Sequence, residues 1–301
     1  MYTYSVRVER QFLSQWMTGL AYVGNKGSTN TGRTENPAVY IPGASTVGNT
    51  QQRRVYPNYG TISRSETTAN TTYHSLQWNL EKRFSHGYSI LTNYVWSKLL
   101  QTNWSQDPFD LVTRETYIGG DDVPHNFKFS NVWELPQAPL SGVADKILNG
   151  WQLNAIVVWQ SGLPFGVSAG RDNALRGSTD RANFTGGESA QLSYDRSHSE
   201  MIQKWFDTSK FVQSPTGEFG NSGLNILRGP RYFNTDFGLL KVIQVNQRIG
   251  FQFRAEAFNV FNSVNFRLPN SNLSSGASFG QITQVVDNNQ RIIQLGLKVL
   301  F

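Results

Sequence analysis

Apolar and polar residues alternate with period two through much of this 301-residue chain, the pattern of a strand with one apolar and one wet face. In Leu76-Gln77-Trp78-Asn79-Leu80-Glu81 the even positions are apolar, and in Tyr88–Trp96 the even positions carry the larger, mostly aromatic set. Phe127, Phe129 and Trp133 alternate with Lys128, Ser130 and Glu134. Trp151, Leu153, Ala155, Val157 and Trp159 alternate with Gln152, Asn154 and Gln160. Ile249, Phe251, Phe253 and Ala255 alternate with Gly250, Gln252, Arg254 and Glu256. The chain ends on Ile293, Leu295, Leu297, Val299 and Phe301 against Gln294, Gly296 and Lys298. Nine strands are predicted, over 2–11, 14–24, 72–84, 87–99, 124–135, 150–167, 231–244, 248–262 and 290–301.

Such alternation suits either a barrel in lipid or a soluble sandwich with one wet face. Three features favour the barrel. The segments run to about 9–13 residues, enough for a tilted strand to cross a bilayer, whereas globular strands average about five or six. Trp78, Trp96, Trp133, Trp151 and Trp159 are expected near strand ends, where interfacial girdles form. The links also alternate in length: 11–14, 84–87, 135–150 and 244–248 are short, while 25–71, 100–123, 168–230 and 263–289 are long and rich in Gly, Ser, Asn and Thr. Short periplasmic turns and long extracellular loops are the arrangement of bacterial outer-membrane barrels. The expected fold is therefore all-β, an antiparallel transmembrane β-barrel, with residues 1–301 forming one C-terminal portion of about nine strands. Because such barrels close on an even number of strands, more strands are expected before Met1. The strand-like opening Met1–Glu9 has no secretory leader pattern, which also suggests a truncated chain.

Composition sharpens this expectation. Only 38% of residues are hydrophobic but 13% are aromatic, with 8 Trp, 12 Tyr and 19 Phe; a thin apolar band, two girdles and a polar lumen call for that mixture. No run of 18 apolar residues exists, so a helical span is excluded. The absence of cysteine excludes disulfides, thiolate metal sites and a cysteine nucleophile. The net charge of +6 is scattered among acidic residues, which argues against a nucleic-acid partner.

Candidate chemistry is sparse. His74, His86, His125 and His198 make no metal-ligand pattern, and no G-x-S-x-G elbow occurs, so neither enzymatic activity nor a cofactor is expected. His86 reads as a turn residue. Asp107, Asp110, Asp121 and Asp122 share one long loop, suited to a hard cation, although a solvated acidic loop is the favoured interpretation. Arg254 with Glu256 and Glu81 with Arg83 read as inward polar ladders that satisfy one another. Trp205 and Asp207 fall in the longest loop, where a short extra strand is expected to fold back; neither reads as a ligand. The expected lipid-facing set includes Trp78, Trp96, Phe127, Trp159, Phe251, Phe253 and Val299, and charge introduced at Phe253 is expected to cost about 2–4 kcal/mol.

The terminal pattern Gln294-x-Gly296-x-x-Val299-x-Phe301 resembles the β-signal that directs outer-membrane proteins to the barrel-assembly machinery, by edge pairing of an exposed strand. The alternative is an ordinary last strand. Upstream, Asp122-Val123-Pro124-His125, Glu134-Leu135-Pro136, Gly150-Trp151-Gln152 and Gln160-Ser161-Gly162-Leu163-Pro164-Phe165 precede Trp205-Phe206-Asp207-Thr208, Phe219-Gly220-Asn221-Ser222 and Leu227-Arg228-Gly229-Pro230. Phe233-Asn234-Thr235-Asp236, Lys241, Phe253–Asn259 and Asn265-Phe266 follow. In this order, from about residue 72 onward, they resemble the C-terminal barrel region of Oar-like TonB-dependent receptors, which often carry an N-terminal carboxypeptidase-regulatory-like domain. The resemblance implies a barrel of about 22 strands with a plugged lumen that takes up a scarce solute with energy from the inner membrane. It also implies that the plug and TonB box lie N-terminal to these residues, so TonB is a partner only through that region. Outer-membrane lipid is the other expected partner. An adhesion or surface-assembly barrel and a soluble glycan-binding sandwich remain as alternatives, and carbohydrate, peptide and metal-chelate solutes are all open.

Overall fold

The computed structural model describes residues 1–287 and 289–301. Its main sheet is built from β1 (Tyr2–Phe12), β2 (Trp16–Thr34), β3 (Ser63–Ser85), β4 (Tyr88–Trp104), β5 (Arg114–Ile118), β6 (His125–Glu134) and β7 (Trp151–Gln160). Four two-residue strands follow: β8 (Pro164–Phe165), β9 (Asn183–Phe184), β10 (Phe211–Val212) and β11 (Leu227–Arg228). The sheet resumes with β12 (Tyr232–Gln244), β13 (Gly250–Phe258) and β14 (Ile292–Leu300). Two short helices, α1 (Gly142–Leu148) and α2 (His198–Gln203), lie in links.

The wall is an antiparallel meander in the order β1-β2-β3-β4-β6-β7-β12-β13-β14, with β5 folded back on β4. These nine wall strands sit where the alternation places them. The described sheet is open, and β1 and β14 are its edges. At one end the links are tight: Leu13 turns at φ 53°, and His86 with Gly87 turn at φ 53° and 83°, the left-handed pair that a two-residue hairpin requires. His86 is thus a turn residue. The 135–150 link is longer and holds the exposed α1.

Five strand ends differ from expectation by more than two residues. β2, β3 and β4 run on to Thr34, back to Ser63 and on to Trp104, through polar stretches such as Ser28-Thr29-Asn30 and Ser65-Glu66-Thr67. There the ladder itself holds the strands, interrupted by a bulge between Thr29 and Thr31. β7 stops at Gln160 rather than 167, because Gly162 is pressed against Gly229: a Cβ there would lie 1.9 Å from the Gly229 carbonyl oxygen. β13 stops at Phe258 because Asn259 is left-handed, at φ 49°, and its amide bridges Ser263 O and Ser263 N.

The buried core is not in the wall. Phe165, Val167, Ala182, Ala190, Trp205, Phe206, Phe211, Leu227 and Ile282 pack together at the long-loop end, forming a cap over that rim.

Candidate functional site

Residues directly opposed across an antiparallel ladder point to the same face, so the registers sort the wall into two surfaces. One row reads Leu20, Trp78, Tyr94, Phe127, Trp159, Phe233. Others read Lys241, Phe253, Leu297 and Ile243, Phe251, Val299. All seven side chains expected to face lipid fall on this face. The opposite face reads Gly19, Asn79, Asn93, Lys128, Val158, Asn234 and, nearer the C-terminus, Glu256 with Gln294, Arg254 with Gly296 and Gln252 with Lys298. Up to the level of Lys26, His74 and Lys98, every wall carboxylate (Glu9, Glu81, Glu134, Asp236 and Glu256) lies on the polar face. An apolar face free of carboxylates belongs against hydrocarbon, and the mixed polar face belongs against water.

Aromatic residues mark both ends of the apolar face. Phe12, Trp16, Tyr88, Trp133 and Trp151 stand at the short-turn end, and Tyr22, Trp96 and Trp159 toward the long loops. Trp78 differs from expectation: it lies well inside β3, and its indole N–H donates to Thr18 Oγ1 at 3.0 Å. Two Tyr–His pairs repeat along the upper girdle. Tyr22 Oη lies 2.7 Å from His74 Nδ1, and Tyr94 Oη 2.7 Å from His125 Nδ1. These contacts account for two of the four histidines.

The inward ladder Glu81–Arg83 forms at 3.8 Å. Arg254 instead donates to Gln252 Oε1 at 3.2 Å, so the expected Arg254–Glu256 pairing gives way to the amide two residues before Arg254 on the same face. Arg7 pairs with Glu9 in the same fashion.

The cap is joined to the wall by polar clamps. Asp122, whose side chain is fully buried, pairs with Arg228 and accepts the Leu99 N–H at 2.5 Å. Arg228 also donates to the carbonyls of Asp122 and Gly162 at 2.7 and 3.2 Å. Asn265 closes a reciprocal amide pair with Phe233, at 2.8 and 2.9 Å. Within the cap, Phe206 is fully buried and packs on Phe165, Phe211 and Phe279, with centroids 5.3–5.7 Å apart. Trp205 is buried, its indole N–H donating to Arg228 O at 2.7 Å. Where the sequence predicts one short extra strand, the structure forms two short pairs, β9 with β10 within the longest loop and β11 with β8, which lies in the stretch predicted to continue β7. Asp207 bonds Ser209 and pairs with Lys204 at 3.1 Å. The sequence motifs around 205–207 and 227–230 are therefore cap-building residues, a role that periodicity could not expose.

The four loop carboxylates are not brought together. Asp107 holds the Phe109 N–H; Asp110 holds those of Val112 and Thr113, and these bonds, led by that to Thr113, hold its carboxyl down to about 2. Asp121 is exposed and Asp122 is committed to Arg228. Among the described residues no cluster of three or more metal-ligating side chains occurs. A different carboxylate stands out. Asp180 is buried, one oxygen accepting the Ala174 N–H at 2.7 Å and the other without a partner; burial, reinforced by Asp172, pushes its carboxyl up to about 6.

β14 is an edge strand, so Gln294, Gly296, Val299 and Phe301 all lie along one exposed border, with Phe301 fully exposed. Gln294 and Gly296 face inward and Val299 outward. A Cβ on Gly296 would meet nothing nearer than Arg254 Cβ at 3.9 Å, so the wall itself does not demand glycine there.

A family model described as an outer membrane beta barrel domain matches residues 1–294. No curated protein matches the chain. Among solved structures, the chain is similar to the outer membrane transporter YddB from Escherichia coli, with 11% identity and a TM-score of 0.48 over 99% of this chain and 32% of that one. It is also similar to the closed form of the ferric-catecholate import receptor Fiu from K12 E. coli, with 11% identity and a TM-score of 0.40 over 98% of this chain and 37% of that one. The chain thus spans about a third of the length of each.

Proposed function

Because the chain belongs to the outer-membrane β-barrel domain family, by a match over residues 1–294, we propose that it is part of the wall of an Oar-like, TonB-dependent uptake receptor. In this proposal the long loops lie outside the cell, the apolar face meets lipid, and the polar face lines the passage of a scarce solute. The observation that carries it is the segregation of side chains: every wall carboxylate up to the outer girdle faces inward, among amides, hydroxyls and cations, of which Arg7 and Arg83 are paired with Glu9 and Glu81. A wall that only anchored a surface structure needs the apolar face but not a lumen rich in hydrogen-bonding groups. The ordered run of motifs from Asp122 to Phe266 supports the narrower Oar-like assignment. The protein acts without catalysis, contacts TonB through an N-terminal plug, and is inserted by the assembly machinery through the β14 border.

Uptake tests this proposal directly. Cells carrying or lacking the intact gene are given labelled carbohydrate, peptide and metal-chelate solutes, with and without a functional TonB. The proposal expects one class to accumulate only when both gene and TonB are present. Accumulation that ignores TonB, or loss of surface adhesion with every uptake intact, contradicts it. For the border strand, Gly296→Ala and removal of Phe301 are expected to lower the amount inserted in the outer membrane several-fold while leaving the stability of inserted protein unchanged. Normal insertion by both variants rejects the signal.

A further inference from the structure

The apolar face carries five cations in the wall strands up to the outer girdle; Arg10 lies exposed on the edge strand β1, and the four lysines of the inner strands are treated differently at the two ends. At the short-turn end Lys82 and Lys241 are each only 3% exposed. Lys82 Nζ donates to the carbonyls of Ser85 and Tyr88 at 2.7 and 2.8 Å and lies 3.6 Å from the centre of the Tyr88 ring. Lys241 Nζ donates to the Asn149 carbonyl and lies 5.2 Å from the Trp151 ring. Both ammonium groups are therefore bonded to the protein's own turns, as buried charges must be.

At the long-loop end the arrangement is the reverse. Lys26 on β2 and Lys98 on β4 stand on the same outward face, both exposed, and the ion pairs among the described residues all belong to other cations. His74 lies between them, opposite both Gly24 and Lys98. Its ring is oriented by Tyr22, stacked at 6.0 Å and bonded through Nδ1, which leaves Nε2 free of that bond. Lys26 and Lys98 sit on strands two apart, roughly 10 Å across the sheet at the usual spacing. They flank an aromatic belt, where long cationic side chains extend toward the headgroup layer. No carboxylate shares this face up to that level.

We propose that Lys26, His74 and Lys98 form a binding site for the phosphate groups of the phosphorylated glycolipid in the outer leaflet, so that the wall holds this lipid at the β2–β4 sector. The proposal rests on the orientation given under Proposed function, with the long loops outside the cell. Charge complementarity identifies the occupant: unpaired cations one side chain above an aromatic girdle meet the anionic headgroup layer. Lys82 and Lys241 are excluded from this role because their own turns already satisfy them.

The test uses the intact protein in detergent, exchanged against phosphatidylethanolamine micelles containing bis-phosphorylated lipid A or its dephosphorylated form, with retained lipid counted by native mass spectrometry. Wild type is expected to retain the phosphorylated form, and Lys26→Ala/Lys98→Ala to lose about tenfold in retention; the loop variant Lys210→Ala keeps the wild-type level. Equal retention of both lipids, or no loss in the double variant, overturns the site. Orientation is read separately, from Ser189→Cys in the exposed part of the cap. Labelling by a membrane-impermeant maleimide on whole cells supports the orientation. Labelling only after the outer membrane is opened overturns both orientation and site, whereas labelling on whole cells with no lipid effect overturns the site alone.

Discussion

The wall and the cap are built from the same chain by opposite rules. Wall strands alternate, with some aliphatic residues such as Val158 also on the inward face, and their large outward apolar side chains remain exposed: Leu295 and Leu297 are 68% and 71% exposed, because their apolar partner is lipid. The cap gathers Trp205, Phe206, Phe211 and Leu227 from the β7–β12 link and Ile282 from the β13–β14 link into a dry core, as a soluble domain does. Two consequences follow. Hydrophobic stability in water is concentrated in the cap, while the wall depends on the bilayer and on its ladders. The polar clamps at Asp122–Arg228 and Asn265–Phe233 are then what make the two regions one body.

The comparison can be broken first at the cap. Phe206→Ala removes its most enclosed ring and is expected to cost about 3–5 kcal/mol of cap stability. Protease cleavage within 163–230 should accelerate while the wall keeps its folded mobility on unheated gels. Asp122→Ala is expected to cost about 3 kcal/mol, because it strands Arg228 and frees the Leu99 N–H; hydrogen exchange should rise at Leu99 and at Arg228 together. A rise at only one of them shows that the clamp does not couple the regions.

The wall is sharpened by depth. Phe237 lies opposite Ala155 and Ala257, between the two girdles, and Phe237→Arg is expected to cost about 2–4 kcal/mol in unfolding from vesicles. Phe253→Arg, for which the sequence alone predicts the same loss of about 2–4 kcal/mol, should instead cost about 0–1 kcal/mol, since Phe253 lies opposite Lys241, near the short-turn end where a cation is already accommodated. Equal costs at the two positions contradict the placement of the girdles.

A separate effect concerns pH. With the Asp180 carboxyl raised from 3.8 to about 6 by burial, the folded cap binds a proton more tightly than the unfolded chain. Its contribution is full below about 4 and is lost as pH rises through about 6. Cap stability should therefore fall over that interval, and Asp180→Asn should flatten the fall and stabilise the cap at pH 7, as thermal protease resistance would report.

The wall was legible because lipid on one side and water on the other impose a period of two on every strand between the girdles. All nine wall strands and the outward set from Trp78 to Val299 follow from that constraint. Above the bilayer it lapses: Ser28–Thr34 and Ser63–Asn70 pair without any apolar face, so nothing in their hydropathy marks them as strands. The cap was hidden for another reason. Phe165, Phe206 and Phe279 are joined by tertiary packing across two links that each look largely polar, Gly-rich and irregular. Asp180, whose importance comes wholly from enclosure, carries no local signal at all.

The central claim is that one face of each wall strand meets lipid and the other meets water. Nitroxide side chains placed singly from Phe251 to Ala257, in the intact protein in bilayers, measure this through their accessibility to oxygen and to a water-soluble nickel chelate. Oxygen access should peak at Phe251, Phe253, Ala255 and Ala257, and nickel access at Gln252, Arg254 and Glu256. A flat profile, or the inverse alternation, contradicts the account.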